Sequence, residues 1–153
     1  MSRRDQITMT PQELAAFLDQ QRVVTCATQG PRGWPHLMPL WYLVRDGDIW
    51  AWSYAKSQKV RNLERDPRAT LQVEAGGEYQ ELRGVMIEAE TVIHRDTDHV
   101  VEFALELFER YGSGPPADGL AEMIRAQAPK RVLLQFRGRR TASWDHRKLG
   151  GVY

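Results

Sequence analysis

The segment with the most chemical potential is WAWSYAKSQKVRNL, Trp50 to Leu63. Trp50, Trp52 and Tyr54 alternate along a strand, and Lys56, Lys59 and Arg61 follow where the chain turns into a short helix. The first N–H groups of a helix lack intrahelical partners and carry the positive end of its dipole, so they attract phosphate. Lysine and arginine add formal charge there. Ser53 and Ser57 add hydroxyl donors. A solvated basic face has the same composition; the neighbouring aromatic residues are what favour a phosphorylated ligand.

A second segment, Trp34 to Tyr42, holds Met38, Pro39 and Leu40. Proline cannot donate to a ladder, so Pro39 marks a strand edge or a break. Polar backbone groups left free beside it suit the edge of a planar heterocycle. A kinked barrel strand without a ligand reads the same way. A third segment, Arg139 to Leu149, combines Trp144 and His146 with Arg139, Arg140, Arg147 and Lys148. Chain ends of this kind are often exposed and frayed.

Other chemistries lack their signatures. His36, His94, His99 and His146 show no metal-ligand spacing, so no metal site is expected. Gly112-Ser113-Gly114 follows a helix and lacks the rest of a dinucleotide fingerprint. There is no Gly-x-Ser-x-Gly elbow. A net charge of +1 argues against a whole-surface nucleic-acid footprint. The single cysteine, Cys26, excludes an intrachain disulfide and lies in an apolar run, so a buried structural thiol in a reducing compartment is expected. No apolar run approaches the roughly 20 residues that span a bilayer, and no signal peptide is read; a cytoplasmic protein without membrane contact is the expectation.

The elements that must position these residues can be read from period and punctuation. Thr10, Pro11 and Glu13 open a helix that ends near Gln21. Strands follow at Val23 to Thr28, about Pro35 to Val44, and Ile49 to Tyr54, with Asp46-Gly47-Asp48 as a hairpin. Lys56 to Arg65 is a short helix that Asp66-Pro67 ends. Ala69 to Glu74 and Arg83 to His94 are strands. Asp96 to Tyr111 is an amphipathic helix, and Ala117 to Gln127 a shorter one. A last strand starts near Arg131, and Trp144 to Tyr153 forms a polar tail. With 153 residues, 42% hydrophobic and 27% charged, this is one domain over residues 1–153. Six strands with peripheral helices predict a mainly β fold, an antiparallel barrel.

These segments together resemble the pyridoxamine-phosphate-oxidase-like, FMN-binding split-barrel family. The likeness is nearest to its actinobacterial branch that uses coenzyme F420, a deazaflavin. It rests on Val24 to Thr28, Trp34-Pro35-His36 with Pro39-Leu40-Trp41, Asp48 to Trp52, Lys56 to Leu63 with Asp66-Pro67-Arg68, and Ser143 to Leu149. The resemblance implies a six-stranded antiparallel split barrel that forms a homodimer with cofactor sites at the interface. It implies that Lys56, Lys59, Arg61 and Asn62 hold the phosphate side, and that Met38, Pro39, Leu40, Trp52 and Ser53 line the ring slot. Arg83 and Trp144 are implied at or across the interface. The implied activity is hydride transfer between reduced F420 and a small conjugated substrate: a quinone, an unsaturated lactone or a biliverdin-like tetrapyrrole. An FMN-dependent oxidase or reductase, or a non-enzymatic carrier of deazaflavin or haem, is the alternative. The arginine pattern with which the vitamin oxidases end is replaced here by Lys148 to Tyr153, which speaks against vitamin oxidation.

Overall fold

Along Val23–Gln29 burial alternates, with Val24, Cys26 and Thr28 inside and Val23 and Gln29 outside. Successive strand side chains point to opposite faces, so this is a strand with one face in a core. The same alternation recurs through the chain and builds one sheet. The computed structural model describes residues 2–151. Its strands are β1 (Val23–Gln29), β2 (Pro35–Trp41), β3 (Leu43–Arg45), β4 (Asp48–Tyr54), β5 (Arg68–Ala75), β6 (Arg83–His94) and β7 (Arg131–Asp145). The helices are α1 (Arg3–Ile7), α2 (Pro11–Gln20), α3 (Gln58–Arg65), α4 (Thr97–Tyr111) and α5 (Leu120–Gln127).

The strand order is β2-β1-β5-β6-β7-β4-β3, all neighbours antiparallel. Its two edge strands, β2 and β3, are separated in the chain by Tyr42 alone. Edges joined by one residue must meet, so the sheet curls into a half-barrel. β2 then lies against β4 with no ladder between them. That unladdered seam is the split of the barrel.

Two apolar clusters follow from the two faces. Val24, Cys26, Ile49, Ala51, Leu71, Val85, Leu134 and Phe136 fill the barrel, and Phe17, Leu18, Val60 and Leu63 from α2 and α3 cap it. Trp50, Leu133, Val100, Phe103 and Leu107 pack α4 on the outside. β4 serves both clusters, since Ile49 and Ala51 face in while Trp50 faces out. No described helix is long and apolar enough to cross a membrane.

The mainly β half-barrel is as expected, with differences in detail. There are seven strands, because the long second strand breaks at Tyr42. Pro39 lies on an edge strand, paired with Thr25, as the first of its two readings had it, and the break falls at Tyr42. The last strand runs on to Asp145, because the long β6 gives β7 a template to pair with down to Arg83↔Asp145. Trp144 is thus a sheet residue, and the tail shrinks to a short turn at His146–Leu149; Val152 and Tyr153 lie outside the described residues.

Candidate functional site

The seam collects much of what the sequence singled out. β2 pairs only with β1, so its other edge carries Met38, Pro39 and Leu40 without a partner strand. β3 covers β4 only from Asp48 to Trp50, so Trp52 and Ser53 face the seam with free backbone on that side. These five residues form its two lips. Period two turns Ser53 inward and Trp52 outward, so they meet different sides of whatever lies between the lips. Buried polar groups need partners, and His36 Nδ1, further along β2, is buried with none.

The cations stand where β4 becomes α3. Ser57 caps α3, accepting from the Val60 N–H at 3.5 Å. Its hydroxyl lies 3.1 Å from that of Ser53. Lys59 is buried and donates from Nζ to Ser53 Oγ at 2.9 Å. Among the described residues Lys56, Lys59 and Arg61 form no ion pair with a carboxylate. A buried lysine without an acidic partner is costly, because burial penalises the charged form. Burial accordingly lowers the Lys59 pKa; the nearby Cys26 thiol works against that, and the Arg131 cation adds to it. Lys56 and Arg61 are exposed.

Asn62 plays a different part. Its side chain is fully buried, Nδ2 donates to Thr28 Oγ1 at 3.0 Å, and Oδ1 accepts from Gln58 Nε2 at 2.7 Å. Both halves of the amide are committed, so Asn62 ties α3 to β1 and thereby positions Lys59. Arg83 and Trp144 sit together, from Gly84↔Trp144 and Arg83↔Asp145, toward the other end of β6. Arg83 lies 5.2 Å over the Phe17 ring and donates to Gln20 Oε1 at 3.3 Å. Within one protomer neither joins the cations of α3.

Sequence reasoning missed Arg131. It pairs with Tyr54 at the end of β4. Its guanidinium lies 4.0 Å from the Trp52 ring centroid and 3.7 Å from that of Tyr54. Only the β4–β7 register brings it there, and no local motif announces that register. On the outside of the seam Phe108 touches both lips edge-on, 6.3 Å from Trp41 and 6.0 Å from Trp52 between centroids. Phe108 also lines a hollow of about 1180 Å³ under the α4–α5 connection. A cleft of about 650 Å³ is lined by residues of β1, β5, β6 and β7, among them Thr28, Thr70, Glu88 and Arg139. Neither concavity contains Pro39, Ser53 or Lys59. Among the described residues no cluster of histidine, cysteine and acidic side chains has metal-binding geometry.

A family model described as pyridoxamine 5'-phosphate oxidase matches residues 10–145. No curated protein matches the chain. The chain is similar to a conserved hypothetical protein from Mycobacterium tuberculosis, with 42% identity over 100% of this chain and 95% of that one and a TM-score of 0.88. It is also similar to an F420 reductase, with 22% identity, 82% and 93% coverage and a TM-score of 0.64. A third similar structure is HutZ, a haem storage protein from Vibrio cholerae, with 14% identity over 85% of this chain and 90% of that one and a TM-score of 0.66. The last two likenesses are likenesses of fold.

Proposed function

Since the chain belongs to the pyridoxamine 5'-phosphate oxidase family, we propose that it is a flavin-type oxidoreductase that binds coenzyme F420, with FMN as the alternative, and reduces or oxidises a small conjugated substrate. The observation that carries this reading is the carboxylate-free cation set at the start of α3, with Lys59 buried on Ser53. A fold keeps an unpaired buried cation beside free helix N–H groups when an anion completes the site. The residues fit a phosphorylated ring: Lys56, Lys59, Arg61 and Ser57 for the phosphate, and Met38, Pro39, Leu40, Trp52 and Ser53 as the lips around the ring.

The cofactor, when bound, supplies hydride transfer, and the protein supplies placement and electrostatics. Lys59 gives the site a positive potential that stabilises negative charge developing during transfer. Trp41, Phe108 and Trp52 line the seam on its outer side. Quinones, unsaturated lactones and biliverdin-like tetrapyrroles all fit a flat, apolar approach of this kind. The preference for F420 over FMN rests on the sequence likeness.

The working unit in this reading is a homodimer. Leu37, Trp41 and Val23 leave 57%, 45% and 45% of their surfaces exposed on the β2–β1 side of the sheet. Contiguous exposed apolar surface marks an interface, and a second copy seated there covers the unladdered seam and brings in its own Arg83 and Trp144. Sizing the protein in solution checks this; a monomer that binds cofactor contradicts it.

Side-by-side titration of the pure protein with F420 and FMN tests the cofactor. Replacing Lys56 and Lys59 by alanine together removes two charge-assisted contacts worth about 1.5–3 kcal/mol each. Unchanged affinity places the phosphate elsewhere.

A further inference from the structure

We propose that Arg131 is an anion-recognition residue for the acceptor substrate, and that the acceptor is a planar conjugated molecule carrying a carboxylate or a similar oxyanion. This rests on the seam holding a redox cofactor, and it adds what the acceptor must look like.

Arg131 is held by its faces. Its guanidinium lies over Trp52 and Tyr54, and Nη2 donates to Gln127 Oε1 at 3.1 Å. Stacking on rings leaves the in-plane N–H groups as its means of recognition, and those match the two oxygens of a carboxylate. Of the other arginines that stack on rings, Arg45 pairs with Glu106 and Arg110 with Asp19 at 3.1 Å, while Arg22 and Arg83 donate to the Arg110 carbonyl and to Gln20 Oε1. Among these described arginines, Arg131 alone combines the lack of an acidic partner with a buried Nε that has no partner. A rigid, half-buried guanidinium without a counter-ion is ready to accept one.

Its side of the strand assigns the anion to the acceptor. Ser53 and Lys59 lie on the inner face of β4, with the phosphate site; Trp52, Tyr54 and Arg131 lie on the outer face. Outward of the seam the surface is a row of rings, Trp41, Phe108 and Trp52, that ends at Arg131 and opens beside Phe108 into the hollow under α4–α5. A flat acceptor lying on these rings presents a peripheral acid to Arg131.

The test compares 1,4-naphthoquinone with 1,4-naphthoquinone-2-sulfonate, flat probes that differ in the anionic group. Binding to the full-length protein is read from quenching of tryptophan fluorescence, with F420 and FMN titrated into the same samples. The wild type should bind the sulfonate about tenfold tighter than the neutral quinone, the worth of one charge-assisted contact. Arg131→Gln should bring that ratio close to one while F420 affinity stays unchanged. Arg131→Lys keeps the charge and should retain a several-fold preference, which guards against a fold defect in the first variant. A wild type without preference, or an Arg131→Gln protein that keeps it, overturns the proposal. So does loss of F420 affinity in Arg131→Gln with the quinone ratio intact, which assigns Arg131 to the cofactor. If neither F420 nor FMN binds the wild type while the sulfonate preference stands, the cofactor reading fails and the Arg131 anion site survives.

Discussion

The Tyr111 hydroxyl satisfies both backbone polar groups of Tyr42: it accepts from the Tyr42 N–H at 3.1 Å and donates to the Tyr42 carbonyl at 2.8 Å. Tyr42 is the residue at which one strand leaves one sheet edge and joins the other, so it has no ladder partner. A buried backbone that leaves a ladder needs substitute partners. The last turn of α4 supplies them through one phenol. Tyr42 in turn donates its own hydroxyl to the Leu18 carbonyl at 2.6 Å, which ties in the end of α2.

Tyr111→Phe keeps the stack on Trp41, whose centroid is 4.6 Å away, and removes both bonds to Tyr42. Leaving a buried donor and acceptor unpaired costs about 1–3 kcal/mol. Urea denaturation should show a lower midpoint with an unchanged slope. An unshifted midpoint would mean that the phenol is not what holds the break.

The barrel was legible because its strands alternate and its turns carry glycine, proline and aspartate where turns need them. The Thr10–Glu13 capping box appears as read, with Thr10 N donating to Glu13 Oε2 at 2.7 Å. What escaped was set by distant partners. Tyr42 looks like one more residue in an apolar strand; only the closure of the sheet makes it a corner. Trp144 and Asp145 look like polar tail, and become strand because β6 lies alongside them. Lys59 was legible as a cation, but its burial on Ser53 was not, since that depends on how α3 docks on the barrel end. Arg131 was invisible for the same kind of reason: its meaning lies in the register with Tyr54.

Gly84 allows Trp144 to lie where it does. A Cβ at Gly84 would collide with the Trp144 indole and stand 2.8 Å from the Val73 carbonyl oxygen, which as backbone cannot move aside. Gly84→Ala should therefore destabilise the protein by about 1–3 kcal/mol, the range for forcing extra atoms into a packed site. A thermal melt followed by tryptophan fluorescence reads both the loss and the displaced indole. A variant as stable as wild type with an unchanged emission spectrum would refute the close approach.

Burial pushes the Cys26 thiol pKa up to about 12, against the pull of the Lys59 cation. The thiolate is the reactive form, so the native protein at pH 8 should be inert toward a disulfide reagent. Labelling should proceed only through opening of the barrel and accelerate with urea in step with unfolding. Rapid, stoichiometric labelling in buffer alone would show that Cys26 is reachable from the seam.

Lys59 links stability, pH and binding. Its pKa is lowered in the folded protein, first by burial. Between the folded and unfolded values the unfolded chain binds more protons, so stability rises with pH across that window. Below the folded pKa the full penalty of a charged, buried lysine is present. Lys59→Met removes the charge and keeps the stem, so at neutral pH it should unfold about 1–2 kcal/mol less readily than wild type, as when buried charges are replaced by apolar groups. The alkaline rise in stability should flatten in the same variant. An anion at the site favours the charged lysine, so cofactor affinity in the wild type should fall as pH passes the folded pKa upward. Lys59→Met should lose that pH dependence together with much of its affinity, about tenfold or more for one charge-assisted contact. Denaturation and cofactor titration across the same pH series check both halves. A variant that is destabilised at every pH and binds cofactor as tightly as wild type would show that Lys59 serves the fold and not the ligand.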